Sequence, residues 1–260
     1  MNAPIRELPL PARPVDIGAE EWALRLELAA CYRLFSHLGW TEMIFNHITQ
    51  RVPGDEPQFL INPYGLHYSE VTARNLVKID LQGRVIGESA YPINPAGFVI
   101  HAAVHANRPD AHCIIHTHTI AGCAVSMQKQ GLLPLNQHAL QVLGEVAYHN
   151  YEGSGRSGEE RGRFLANLGE RHIMVLRNHG LIVIGETIGE AFILTYRMER
   201  ACAMQLQFQK SGAEFNPIDD DVARAAIARG GAVSDRTDPK TLEWVALLRK
   251  LDRIDPSYKE

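Results

Sequence analysis

The sequence predicts an α/β protein in which helices sandwich a mixed sheet. Three features predict it. Apolar residues recur at three and four positions from Glu20 to Leu38, and a second helical stripe runs from about Ile188 to Gln209, so two helices are long enough to cover a sheet. Short runs of strand length lie between them, one of which, Ala111 to Thr119, reads as a buried strand with a polar end. Helices and strands are interspersed without a strict βαβ rhythm, which favours a mixed sheet over a doubly wound parallel one. At 260 residues and 45% hydrophobic content the chain can form one large domain with a substantial core.

The elements follow in order. Pro4, Pro9, Pro11 and Pro14 make residues 1–18 an extended N-terminal arm. The first helix carries Leu24, Leu28, Cys31, Phe35 and Leu38 on one stripe and stops at Gly39. Ile44 to Val52 and Gln58 to Ile61 read as two strands joined by Pro53-Gly54-Asp55, and Pro63 with Gly65 forces a loop. Asn94-Pro95 opens a helix to about Asn107, with asparagine as cap and proline in the first turn. Ile173 to Leu176 and Leu181 to Ile184 flank Asn178-His179-Gly180, a hairpin whose turn residues tolerate positive φ. Two capping boxes, Ser157 with Glu160 and Thr187 with Glu190, open two more helices. A short helix near Asp221 to Arg229 and a last one capped by Asp238-Pro239 complete a body of residues 19–212 and a C-terminal extension of residues 213–260.

The 26 basic and 30 acidic residues give a net charge of −4 without a basic block, which argues against nucleic acid and anionic membrane as partners. No apolar run reaches the ~18 to 20 residues of a membrane span, and the early prolines stand where a signal peptide would be apolar; the expected location is cytoplasmic. Cys31, Cys113, Cys123 and Cys202 form no CxxC pair and read as buried thiols.

Histidine is the unusual residue, with twelve copies. On a strand, His116 and His118 project to one face because the side-chain period is two, a two-toothed clamp for Zn²⁺, Fe²⁺, Mn²⁺ or Ni²⁺. An HxH pair is also common on ordinary polar strands. His179 could be lifted by its hairpin over a neighbouring strand end, and three histidines plus water describe an open catalytic metal site. His101 and His105, four apart on a helix, compete as ligands or serve in packing. Tyr148, His149 and Tyr151 at a strand end read as packing, His47 as pocket wall, and Glu88 reaches a metal only if its loop folds inward.

His116-Thr117-His118, Arg177-Asn178-His179-Gly180, and Asn46, Pro63 and Gly65 together resemble the class II aldolase/adducin-head family over about Glu20 to Gly212. Ile61 to Leu81, Asn94 to His101 and Gly131 to Tyr151 look closer to the adducin head and its bacterial relatives than to the sugar-phosphate aldolases. The resemblance implies a three-layer α/β/α sandwich around a mixed, largely antiparallel sheet, a homotetramer with sites at subunit contacts, and a divalent metal, Zn²⁺ before Fe²⁺ or Mn²⁺. It places the metal ligands at His116, His118 and His179. In family enzymes the metal grips two oxygens of a hydroxy-carbonyl substrate and stabilises an enediolate.

The departures from the family pattern bear on mechanism. The family's acid/base glutamate falls on Gly97, which implies an emptied carboxylate seat, and its two phosphate-holding serines fall on Pro95 and Ala96. Tyr64 replaces a small hydroxyl residue and would narrow the pocket. Asn46, Tyr64, Gly65 and Gly97 are thus the expected substrate-binding positions. His138 falls on the tyrosine that family aldolases use as a proton donor from an adjacent subunit, and histidine can do that work near neutral pH. The family's adducin heads lack a histidine there, which weighs against a purely structural head. Three readings follow: a lyase for a small non-phosphorylated hydroxy-carbonyl or 2-oxo acid, an Fe²⁺ oxygenase on the same ligands, and an inactive adducin-like assembly module.

Overall fold

The computed structural model describes residues 13–153, 158–230 and 242–260. Most of the expected N-terminal arm, Ser157 of one capping box and the Asp238-Pro239 cap lie outside the described residues. Helix α1 (Ala19–Leu38) ends as expected: Gly39 takes φ 72° and its N–H donates to the Ser36 carbonyl. Strands β1 (His47–Val52) and β2 (Gln58–Ile61) pair antiparallel. β1 begins three residues later than the expected Ile44, because Met43 and Asn46 take φ of 49° and 67° and interrupt the extended run. β3 (Val77–Asp80) pairs antiparallel with β2 at the sheet edge.

Helix α2 (Pro95–Asn107) has its proline in the first turn, but Asn94 makes no side-chain cap bond, contrary to expectation; it lines a cavity instead. Then come β4 (Cys113–Thr117), α3 (Ile120–Ser126), α4 (Gln137–Val142), β5 (Val146–His149), α5 (Gly158–Leu168), β6 (Ile173–Leu176) and β7 (Gly180–Gly185). Helix α6 (Ile188–Ser211) is capped by the Thr187 hydroxyl, which accepts from the Glu190 N–H. Helices α7 (Asp220–Gly230) and α8 (Leu242–Ile254) complete the chain. Among the described residues no helix is long and apolar enough to cross a membrane.

The sheet order is β3-β2-β1-β4-β7-β6-β5. Only β5 and β6 run parallel, and they are joined through α5, because parallel neighbours need a crossover that a hairpin cannot supply. The expected mixed, largely antiparallel sheet with helices on both sides is thus what the chain forms. β4, β6 and β7 are buried on both faces. On one face Cys113, Ile115 and Val183 pack under α1 and α6, with Phe35, Phe192 and Trp244 at the centre. Burial of one such aromatic or branched side chain contributes roughly 1.5–3 kcal/mol.

On the other face Ile114, Ile182 and Ile184 pack under α2 and α5 against Val104 and Phe164. Side chains alternate along β4, so His116 shares the face of Ile114 and looks toward α2. The antiparallel pairings put the first residue of β1, the end of β4 and the start of β7 at one end of the sheet, with His47 opposite His116 and Leu181 opposite Thr117. That end holds the histidines.

Candidate metal centre

The β6–β7 hairpin delivers His179 to the end of β4. Asn178 takes φ 59°, a left-handed conformation that asparagine tolerates, and so turns the chain. Gly180 allows the close approach: a Cβ there would lie 2.3 Å from the Thr117 carbonyl oxygen. His179 therefore sits beside His116 and His118, with ring centroids 5.0 and 4.8 Å away. Strand β4 ends at Thr117, short of the expected Thr119, so His118 lies one residue past the strand, yet its ring is 4.7 Å from that of His116.

One nitrogen from each of His116, His118 and His179 lies within 4.8 Å of the other two, and the Nε2 atoms of His116 and His118 are 3.0 Å apart. These separations suit three imidazoles that bind one cation at about 2.1 Å. Nδ1–H of His116 donates to the Leu181 carbonyl at 2.9 Å, which turns the Nε2 lone pair toward the other two rings. Burial, reinforced by neighbouring imidazoles, holds His116 well below the ordinary histidine range. His179 is lowered to about 4 by burial and by His118, and burial also lowers His118. Three neutral rings at neutral pH are the form that binds metal.

The seat at position 97 is not empty. A Cβ on Gly97 would meet His47 at 2.6 Å (Cε1) and 2.7 Å (Nδ1), so the imidazole of His47 occupies the space that a side chain at 97 would enter. His47 is buried, its ring lies 5.5 Å from His116 and 4.2 Å from His101, and burial lowers its pKa to about 4. His101 and His105, competing candidates as ligands, instead form a buried chain. Nδ1 of His101 and Nε2 of His105 each lie 2.8 Å from the Thr49 hydroxyl, and Nδ1 of His105 lies 2.8 Å from the Ala111 carbonyl. Neither belongs to the histidine cluster suited to metal.

A cavity of about 330 Å³ opens over the three rings. Asn46, Gly97, His47 and His101 form part of its wall, and both amide atoms of Asn46 are buried without a hydrogen-bond partner among the described residues. Tyr64 lies outside the lining, behind Phe45 at a ring distance of 6.5 Å; Gly65 turns the loop at φ 109° and is likewise outside. Glu88 is exposed and lies away from the cavity. His138 stands on α4, half-buried and outside the lining of its own chain.

The opposite wall was not legible. His149, read as a packing residue, lines the cavity with Nε2 buried, without a hydrogen bond among the described residues and 3.9 Å from a Glu152 carboxylate oxygen. Tyr151, Arg161 and Arg177 lie with it. His149 ends β5 and pairs with Leu176, and this register brings it to the same sheet end as His179. Its Nε2 and the carboxylates of Glu152 and Glu160 also approach within 4.8 Å, but Glu152 already accepts a two-pronged bond from Arg163 at 2.5 to 3.1 Å.

Known proteins resemble this chain in sequence and in fold. The family model described as Class II Aldolase and Adducin N-terminal domain matches residues 26–206. A protein of Pseudomonas aeruginosa, provisionally named an aldolase class 2 protein, is 47% identical over 249 residues, covering 94% of this chain and 95% of the relative. Alpha-adducin of Rattus norvegicus is 49% identical over 190 residues, which is 72% of this chain and 26% of the adducin. The crystal structure of an aldolase II superfamily protein from Pseudomonas syringae superposes with a TM-score of 0.90 at 40% identity, covering 94% and 98% of the two chains. L-fuculose 1-phosphate aldolase from Glaciozyma antarctica superposes at 0.81 with 27% identity, covering 96% and 97%.

Proposed function

The chain belongs to the class II aldolase and adducin N-terminal domain family, and on that premise we propose that it is a metal-dependent, aldolase-like lyase for a small, non-phosphorylated hydroxy-carbonyl or 2-oxo acid. The observation that carries this reading is the convergence of His116, His118 and His179 as neutral imidazoles under one cavity. The donor set fits a divalent cation, Zn²⁺ first and Fe²⁺ or Mn²⁺ next, since three nitrogens leave coordination positions for substrate. Bound there, the cation supplies Lewis-acid stabilisation of negative charge that develops on the substrate oxygens.

The chain's own residues do the rest. His116 is oriented by the Leu181 carbonyl. Asn46, fixed by its left-handed backbone, offers an amide donor and acceptor to a hydroxyl group. Residues 95 and 96, proline and alanine, carry no side-chain donor, which supports a substrate without phosphate. His138 moves a proton at the site of a neighbouring copy in a homo-oligomer, taken as a homotetramer, which agrees with its position outside its own cavity. The enzyme acts in the cytoplasm, with residues 19–212 as the catalytic body.

Elemental analysis of the purified protein tests the reading. About one equivalent of metal per chain is expected, falling below about a tenth in His179→Ala with the fold intact by circular dichroism. An unchanged metal content in His179→Ala rejects it. The likeness to alpha-adducin favours a second reading, an assembly module without turnover. A module predicts no reaction of the metal-loaded protein across a panel of unphosphorylated hydroxy-carbonyls, and no effect of His138→Ala. An enzyme loses about 10²-fold or more in turnover with that substitution.

A further inference from the structure

Position 97 and His47 compete for one space. With glycine at 97, the ring of His47 lies where the first carbon of any side chain would stand, 2.6 Å from the ideal Cβ position. His47 is only 5% exposed and lines the cavity, and its Nε2 has no hydrogen-bond partner among the described residues. Leaving a buried polar atom bare is unfavourable, so its persistence beside a cavity points to a partner that arrives with a ligand.

The hydrogen bonds decide what that partner must offer. His105 Nδ1–H donates to the Ala111 carbonyl, so its Nε2 accepts from the Thr49 hydroxyl. The Thr49 oxygen then accepts from His101 Nδ1–H, which leaves His101 Nε2 as a lone pair. That atom is also buried and without a partner among the described residues. The ring of His47 adjoins it, with centroids 4.2 Å apart. A phosphate or carboxylate oxygen carries no hydrogen and cannot bond to the His101 lone pair. A hydroxyl group both donates and accepts, so it can serve His47 Nε2 in either tautomer and can donate to His101 Nε2.

We propose that His47, lodged against Gly97, is a substrate-contacting residue that shares a hydrogen bond with a substrate hydroxyl beside the His116, His118 and His179 centre, and so selects neutral hydroxylated ligands; this rests on the metal reading of that centre. The protein loaded with Co²⁺ is titrated with glycolohydroxamate and with acetohydroxamate, which share a chelating head and differ by one hydroxyl, while the visible bands of the cobalt are followed. Wild type binds the hydroxylated ligand more tightly. His47→Ala erases about tenfold of that preference, leaving cobalt content and acetohydroxamate affinity unchanged. Gly97→Ala does the same without altering residue 47, because its methyl group displaces the ring. If both variants keep the full preference for the hydroxyl, the role of His47 is overturned and the metal centre stands. If wild type retains no cobalt, or its bands respond to neither hydroxamate, both readings fall together.

Discussion

Glu199 on α6 is only 5% exposed, and its carboxyl accepts from the Thr119 hydroxyl and the Gly122 backbone. Burial outweighs these bonds and raises its pKa to about 7. The folded state thus holds a proton that the unfolded chain releases above about pH 4.5. Its stabilising effect is complete below that pH and is lost as pH rises through 7. Glu199→Gln, which keeps the shape and removes the charge, is expected to gain up to roughly 3 kcal/mol over wild type at pH 8 and less than about 1 kcal/mol at pH 5. Urea midpoints of the two proteins at both pH values check this; a difference independent of pH refutes it. Residue chemistry at the site was partly legible in the same way. His116, His118 and His179 could be picked out because their spacing and turn context are local. His47 was legible as a pocket-wall residue, but its place against Gly97 was not, because those two positions, fifty apart in sequence, meet only once β1 packs on α2.

The β6–β7 hairpin is the element on which the centre depends. Its turn was readable from Asn178 and Gly180, whose chemistry is that of a tight reversal. The nearness of Gly180 to Thr117 was not readable, since it belongs to the β4–β7 register. Gly180→Ala places a methyl group against a backbone carbonyl that cannot rotate away, so β7 must move off β4. The expected cost is about 1–3 kcal/mol of stability, with loss of most of the metal because His179 moves with the strand. Chemical denaturation and elemental analysis of one preparation check both; full metal retention counts against a rigid hairpin. Asn94 illustrates the opposite error. Its sequence context is that of a helix cap, but tertiary packing leaves its side chain in the cavity wall without that bond.

Across the whole molecule, burial of imidazoles sets the response to acid. Burial is the largest cause lowering His47 to about 4, His105 to about 3 and His179 to about 4, and it also lowers His101 and His116. Each is neutral in the folded protein and charged in the unfolded chain below about pH 6.5. Stability of the metal-free protein is therefore complete above pH 6.5 and is lost as pH falls toward the folded values. The summed loss is on the order of 5 kcal/mol or more by pH 4.5. With Glu199 acting in the opposite sense, maximum stability is expected near pH 6.5, and urea midpoints from pH 4.5 to 8.5 locate it. A flat profile below pH 6.5 would show that these rings are hydrated.

Local order determined the helices of α1, α2 and α6, the hairpin and the choice of His116, His118 and His179 as candidates, because period, capping and turn residues act within a few positions of themselves. Tertiary structure decided which ring fills the space at Gly97, why His149 shares a cavity with His179, and why His101 and His105 bond to Thr49 instead of a cation. Those outcomes come from strand register and helix-on-sheet packing, which join residues that no local rule connects.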